Sequence, residues 1–462
     1  MTLPTTCQLE ACSRAELLAL VSVLCEQVRQ LQAEVARLSQ PPPTSRNSSQ
    51  PPSRDPKKNL GDTSHRKKFG PPFGHERHTR ELVETPDQVV VASVTQCQQC
   101  QADLHDCVPR QVVRRQVIEL PVVAPVVIET RQHEVVCPHC QTRNRGILPT
   151  GLEAERQFGP RLEATVVYLK QAQHLSYQRV GAARHDLTGV TLSEGGVNAI
   201  LARAGTAAAD VAATIQQAIQ ASTIVHSDET SARVQGRTWW QWVVGSSAGI
   251  YHHLAPSRGA AVLADLRGDA TVEVWVSDCF SAQLKAPARV FQLCLAHQLR
   301  DLQRVLDADP KHTWAQAVQQ LFQSAIHLLH QFDGAQPTLT LSEFIAQTER
   351  LDAQLDDLLT QEITGERALG LQARFTKHRD KLLTFLHYPG VPPTNNVSER
   401  ALRPSVIHRK VTNGFRSEWG AKGYAALQSV LATAQLKGEP VFATLVHLMG
   451  VPILHFLSPS DP

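Results

Sequence analysis

Thr223-Ile224-Val225-His226-Ser227-Asp228-Glu229-Thr230 is the stretch whose reading decides the fold. Its opening is a short apolar strand that gives way at once to acids. Downstream, Trp239–Val244 and Ile250–Leu254 read as two more strands, with Gly245-Ser246-Ser247 and Gly249 supplying the turn between them. Gly259–Leu266 reads as a helix. Val272-Glu273-Val274-Trp275-Val276-Ser277 is a fourth strand, and it too ends at an acid, Asp278.

Three meandering strands, a helix and a fourth strand are the element order of a ribonuclease-H-like α/β sheet. In that order the ends of the first and fourth strands lie side by side, so Asp228 and Asp278 are expected to converge. A lone Asp at a strand end is usually a turn or cap residue; it is the joint layout that points to chemistry. Carboxylates a few ångströms apart need a cation between them, and two Mg²⁺ (or Mn²⁺) ions are what such clusters hold in phosphoryl-transfer sites. Glu399, in Asn395-Asn396-Val397-Ser398-Glu399-Arg400-Ala401-Leu402-Arg403-Pro404, is the expected third carboxylate. Arg400, Arg403, Arg409 and Lys410 follow it and suit DNA phosphates. Glu229 would face away from Asp228 on a strand. Cys294 and His297 stand i, i+3, which suits a second metal site or, preferably, packing and hydrogen bonding beside the acids. Asp265 and Asp301 are fallbacks for the second acid. The catalytic core is therefore assigned to 222–300 and 389–440, interrupted by a helical insertion at 301–388 with helices Trp314–Gln331, Leu341–Leu359 and Gly365–Leu386. Residues 441–462 are left as a C-terminal tail.

Upstream, residues 158–221 read as helical: Arg161–Gln173, then a helix-turn-helix-like pair Ser176–Asp186 and Ser193–Ala204, then Thr206–Ala221. Residues 87–148 read as a small β module with strands Val89–Val94, Gln111–Leu120 and Val122–Glu129. Cys97-x-x-Cys100 and Cys137-x-x-Cys140 flank it, and four thiolates in two such pairs suit one structural Zn²⁺. Cys107, His105, His133 and His139 are alternative ligands. The linker at 40–86 is rich in Pro and poor in apolar residues, so it is expected to be disordered. It is also basic: from Arg46 to Arg80 there are nine Lys or Arg against three acids. Lys57, Lys58, Lys67 and Lys68 in it are candidate DNA contacts. Residues 13–39 form a helix with a heptad seam, Leu17, Val21, Leu24, Val28, Leu31, Val35 and Leu38. Val and Leu alternating at the seam favour a parallel two-stranded coiled coil.

The composition fits this layout. The chain has 462 residues, 42% hydrophobic but only 5% aromatic, and a formal net charge of +3. That small charge is a cancellation. Residues 400–438 carry seven Lys or Arg and one acid, whereas 301–370 carry four against eleven acids. No apolar run of membrane-spanning length and no signal peptide stand out, so a cytoplasmic protein without a membrane partner is expected.

The motifs His226-Ser227-Asp228-Glu229-Thr230, Cys294-Leu295-Ala296-His297-Gln298-Leu299-Arg300 and Asn395-Asn396 through Arg403 resemble the DDE transposases of the insertion sequence 66 family. So do the heptad helix, the paired cysteines, Leu175-Ser176-Tyr177-Gln178-Arg179 and Ala432-Thr433-Ala434-Gln435-Leu436-Lys437-Gly438. The resemblance spans nearly the whole chain. It implies a metal-dependent DNA transposase with Asp228, Asp278 and Glu399 as catalytic metal ligands. It also implies binding to the element's terminal inverted repeats and to target DNA, as a homodimer or larger assembly, with accessory element-encoded proteins an open partner. Ser277-Asp278-Cys279-Phe280 departs from the family's usual Gly and aromatic around the second acid. Two alternatives stand beside this reading: a catalytically silent, transposase-derived DNA-binding protein, and a ribonuclease-H-like nuclease.

Overall fold

The computed structural model describes residues 13–38, 44, 55, 80–108, 110, 113–148, 157–268, 271–334 and 337–450. Lys57, Lys58, Lys67 and Lys68, like most of the linker, lie outside them. In chain order the elements are α1 (Arg14–Leu38), β1 (Glu134–Val136), β2 (Arg143–Arg145), α2 (Pro160–Val167), α3 (Tyr177–Thr188), α4 (Glu194–Gln220), β3 (Ile224–Val234), β4 (Arg237–Ser246), β5 (Gly249–Ala255), α5 (Ala261–Arg267), β6 (Val272–Ser277) and β7 (Ala288–Leu293). There follow α6 (Leu295–Ala308), α7 (Thr313–Asp333), α8 (Leu341–Thr360), α9 (Glu366–Lys377), α10 (Thr384–His387), α11 (Asn396–Thr412), α12 (Glu418–Leu436) and α13 (Val441–Leu448). The contacts divide the chain into two units, one of residues 57–126 and 187–189 and the other of the remainder.

In the larger unit a mixed five-stranded sheet runs β5-β4-β3-β6-β7. β3 and β4 form a hairpin closed by Gln235 and Gly236, both at positive φ (49° and 75°). Two such residues are what the tight turn between twisted antiparallel strands requires. β6 runs parallel to β3, reached through α5, and β7 runs parallel to β6. β3 is longer than the sequence predicts. It continues through His226–Val234 because that stretch pairs residue for residue with β4. Asp228 is therefore mid-strand against β4, yet just past the end of the ladder with β6. The fifth strand, β7, was not expected.

Alternation along the strands sends side chains to two covered faces. Val225, Trp242, Val244 and Trp275 pack with Ile215 and Ile219 of α4 and Val262, Leu263 and Leu266 of α5. On the opposite face Val243 and Ile250 meet Leu402 of α11. Val274 and Val276 there share one core with Trp314, Phe322, Phe375 and Phe385. The helices after residue 301 are thus built onto the sheet, and α6 already straddles the expected boundary at 300/301. The helix expected over Gly365–Leu386 ends at Lys377 and resumes as short turns.

Ser193–Ala204 and Thr206–Ala221, expected as two helices, are one 27-residue helix, α4. The reason is Gly205. A Cβ there would lie 2.9 Å from the Cα of Gly423 in α12, so the glycine marks a close helix crossing and no break. The single helix expected over Arg161–Gln173 is α2 followed by a π-helical turn, Tyr168–Ala172. α12 also guards the open edge of the sheet. Thr433 Oγ1 accepts from Ile250 N (3.0 Å) and Ser429 Oγ from His252 N (2.8 Å), so β5 is denied to other strands. The start of the expected tail is a helix, α13, whose Phe442 ring meets Tyr168 edge-on.

Val89–Val94, Gln111–Leu120 and Val122–Glu129, expected as strands, form none among the described residues. Their Val and Ile are largely exposed, and β-branched composition does not make a strand without a partner. What does form is local. Gln101 N donates to Cys97 O and Cys97 N to Ala102 O, both at 2.9 Å. Gln141 N and Cys137 N make the same two bonds, to Cys137 O and Thr142 O, also at 2.9 Å. Gln101 and Gln141 both sit at positive φ (61° and 59°). The two Cys-x-x-Cys pairs therefore have one knuckle geometry, the second clasped by the β1–β2 hairpin.

Candidate active site

The parallel register pairs Ile224 with Val274, Val225 with Trp275 and His226 with Val276. Carried two residues on, it sets Asp228 abreast of Asp278. Both acids are fixed by short local bonds: Asp228 Oδ1 accepts from Glu229 N (2.8 Å), and Asp278 Oδ1 from Phe280 N (2.9 Å). Glu399 comes from the first turn of α11, which packs across β3 and β4 on the face that Asp228 shares.

The carboxylates feel one another. Burial pushes the Asp228 carboxyl up to about 8, and Asp278, Glu229 and Glu399 add to that rise. Adjacent like charges out of water cannot all ionise unless something compensates them. Glu399 is faced by three groups of α6 and its N-cap. Cys294 Sγ is 4.0 Å from Oε1, His297 Nδ1 3.6 Å from Oε1, and Arg300 Nη2 3.6 Å from Oε2. Cys294, His297 and Glu399 together form the metal-capable cluster found among the described residues.

Unmatched polar atoms gather at the same place. His226 Nδ1 on the face of Asp228, Asn395 Oδ1 and Ser398 Oγ near Glu399 in α11 and its N-cap, and His297 Nδ1 are all buried without a hydrogen-bond partner. Buried polar atoms are ordinarily paired, and such orphans suit a site that takes hydrated ions or a polar substrate. Carboxylate oxygens are donors that Mg²⁺ and Mn²⁺ take, whereas the Cys294, His297 and Glu399 cluster mixes thiol, imidazole and carboxylate.

Glu229 does face away from Asp228, into a network the sequence did not reveal. Arg258 Nη2 donates to its Oε1 (2.8 Å) and Gln283 Nε2 to its Oε2 (2.7 Å). The Arg258 guanidinium lies 4.4 Å from the Trp240 ring centroid and 3.9 Å from that of Phe280. Phe280 is the residue whose N–H Asp278 accepts, so this network braces the loop carrying the second acid. Nothing in the spacing of Arg258 or Gln283 signals it. His297 was signalled by its i, i+3 spacing from Cys294; Arg300, three residues further on, was quoted only as the end of that motif.

The fallback acid Asp301 is engaged elsewhere, 2.6 Å from Arg374 Nη2. Arg400, Arg403 and Lys410 are exposed on α11. Arg409 is spent internally: its guanidinium donates to the backbone oxygen and hydroxyl of Ser231, stapling α11 to β3.

Comparison with known proteins places these residues in a family. One relative, "Uncharacterized protein y4hP" of Sinorhizobium fredii (strain NBRC 101917 / NGR234), is 25% identical over 350 residues. The match takes in 67% of this chain and spans 62% of that relative's length. The family model "Transposase IS66 family" matches residues 155–423, from just before α2 into α12. That span holds Asp228, Asp278 and Glu399 and leaves out both Cys-x-x-Cys knuckles. It covers more than half of the chain, which therefore belongs to the IS66 family of transposases.

Proposed function

We propose that the chain binds the terminal inverted repeats of its insertion sequence and catalyses metal-dependent DNA strand cleavage and strand transfer on a ribonuclease-H-like core. What supports this reading is that Asp228 and Asp278 both lie just past the end of the β3–β6 ladder, and that Asp278 and Glu399 are near enough to Asp228 to raise its carboxyl value. Asp228, Asp278 and Glu399 would hold two Mg²⁺ or Mn²⁺ ions. When bound, such ions activate a water or a 3′-hydroxyl and offset charge on the leaving oxygen. Glu229 and Arg258 keep the Asp278 loop in place. Arg400, Arg403 and Lys410 offer phosphate contacts next to the acids, with the linker lysines and the α3–α4 pair as further DNA-binding candidates. No covalent protein–DNA intermediate is needed.

Two DNA ends call for two protomers. The reading of α1 as a coiled coil is supported by the exposure of the seam residues Val21, Leu24 and Val28 on a 25-residue helix. The four thiolates of Cys97, Cys100, Cys137 and Cys140 are proposed to hold one structural Zn²⁺. In support, hydrogen bonding within each knuckle lowers the Cys97 and Cys140 thiol pKa values below the ordinary thiol value.

The test is incubation of the purified protein with DNA carrying the element's ends and Mg²⁺. Cleavage and joined products are expected, and Asp228→Ala should lower cleavage at least about a thousandfold. Equal cutting by Asp228→Ala would sink the mechanism. Hydrolysis with no joined product would leave a nuclease, and tight binding with no cleavage in Mg²⁺ or Mn²⁺ a silent DNA-binding protein.

A further inference from the structure

Three hydrogen bonds join the three segments that carry the acids. Asn395 Nδ2 donates to Ser227 O (2.7 Å), Asn395 N donates to Cys294 Sγ (3.1 Å), and Cys294 N donates to Ser277 O (2.8 Å). Ser227 immediately precedes Asp228, Ser277 immediately precedes Asp278, and Asn395 is the N-cap of the helix that carries Glu399. The chain of bonds spans 168 and 101 residues in its two side-chain steps. No pair of the β3–β6 ladder follows His226 with Val276, so Asn395 and Cys294 tie the acids together just where the ladder stops.

Asn395 is used against its type. Asn at an N-cap ordinarily turns its side chain back to accept from the first free N–H groups of its own helix. Here no such side-chain cap bond forms, and the amide points across to β3 instead. Both residues are buried, Asn395 at 1% exposure and Cys294 at 0%, so neither is placed to touch DNA. The helix gives up its cap for a cross-chain tie, which makes sense where the spacing of Glu399 from Asp228 matters more than the stability of one helix end.

We propose that Asn395 and Cys294 are positioning residues that set the spacing of Asp228, Asp278 and Glu399 for a divalent cation. This rests on the metal-site reading above and deepens it by naming what holds the ligands. Groups that orient metal ligands typically govern affinity by ten- to a hundredfold.

The experiment is Mn²⁺ titration by calorimetry of the full-length protein without DNA, scoring the binding that Asp228→Ala removes. Asn395→Ser is the discriminating variant, since Ser is a good N-cap but cannot span to Ser227. It should keep the metal-free melting temperature while weakening Mn²⁺ binding about tenfold or more. Cys294→Ala should weaken it in the same direction, but Cys294 also belongs to the cluster with His297 and Glu399, so Asn395→Ser, which removes no candidate ligand, decides the positioning role. Mn²⁺ affinity within twofold of wild type in Asn395→Ser, or in a folded Cys294→Ala, overturns the positioning role alone. Undiminished Mn²⁺ binding in Asp228→Ala overturns the metal-site reading, and this inference with it.

Discussion

Asp228 makes the site sensitive to pH in a way that can be isolated. Its ordinary carboxyl value is 3.8, and burial among other acids raises it to about 8. Between those values the folded protein holds a proton that the unfolded chain has released, so stability falls as pH rises. Buried His226, His252 and His408, lowered to about 4, 3 and 3, act in the opposite sense below the ordinary histidine value of 6.5. Above 6.5 their contribution has levelled off. From pH 6.5 to 8 metal-free wild type is therefore expected to lose stability relative to Asp228→Asn, by at most about 1.4 kcal/mol per pH unit. Saturating Mn²⁺ should flatten the trend, because a cation keeps the carboxyl ionised in the folded protein as it already is in the unfolded chain. Denaturant melts across that window check both expectations, and a flat metal-free difference between wild type and Asp228→Asn would refute the assignment.

At the scale of elements, the crossing of α4 and α12 through Gly205 and Gly423 is the most exacting contact. Gly205→Ala would bring a Cβ to 2.9 Å from a backbone carbon, whereas the contact built from Gly423 is 3.5 Å. Gly205→Ala is expected to lower stability by about 1–3 kcal/mol and Gly423→Ala by clearly less, in the same melts. The reversed order would contradict the crossing geometry. Gly205 also explains where sequence reading fails. A glycine inside an Ala-rich helical pattern looks like a break, and only the partner helix, 218 positions away, shows that it is a contact. The runs 239–244, 250–254 and 272–277 were legible because their alternation and turns are local. β7 was not: Ala288-Arg289-Val290-Phe291-Gln292-Leu293 has no clean alternation and is a strand because β6 offers it an edge. The Val-rich run before Glu129 errs the other way, with the composition of strands and no strand partner among the described residues. Among candidate site residues, the three acids were chosen from expected strand ends and a basic helix, though Asp228 lies mid-strand because β3 runs on along β4. Asn395 was visible within a motif, but its role was not, since its bond to Ser227 joins segments that only the fold brings together.

At the scale of the whole molecule, two expectations concern assembly and metal. Leu24→Asp with Val28→Asp on α1 should shift the protein from dimer to monomer in light scattering while leaving the sheet domain's melting unchanged; a persistent dimer would move the interface elsewhere. One equivalent of zinc per chain is expected by elemental analysis, falling in Cys97→Ser and Cys137→Ser alike, and zinc retained by both variants would exclude the four-thiolate site. The placement of α12 has a further consequence for biosynthesis. The hydroxyls that close the edge of β5 and the glycine that receives α4 lie at residues 423–433, beyond the last of the three acids. A polypeptide interrupted by a frameshift or a stalled ribosome before residue 418 thus contains Asp228, Asp278 and Glu399 but leaves the sheet with a bare edge and an uncovered helix groove. Chains that lack this last stretch are therefore expected to aggregate and be degraded.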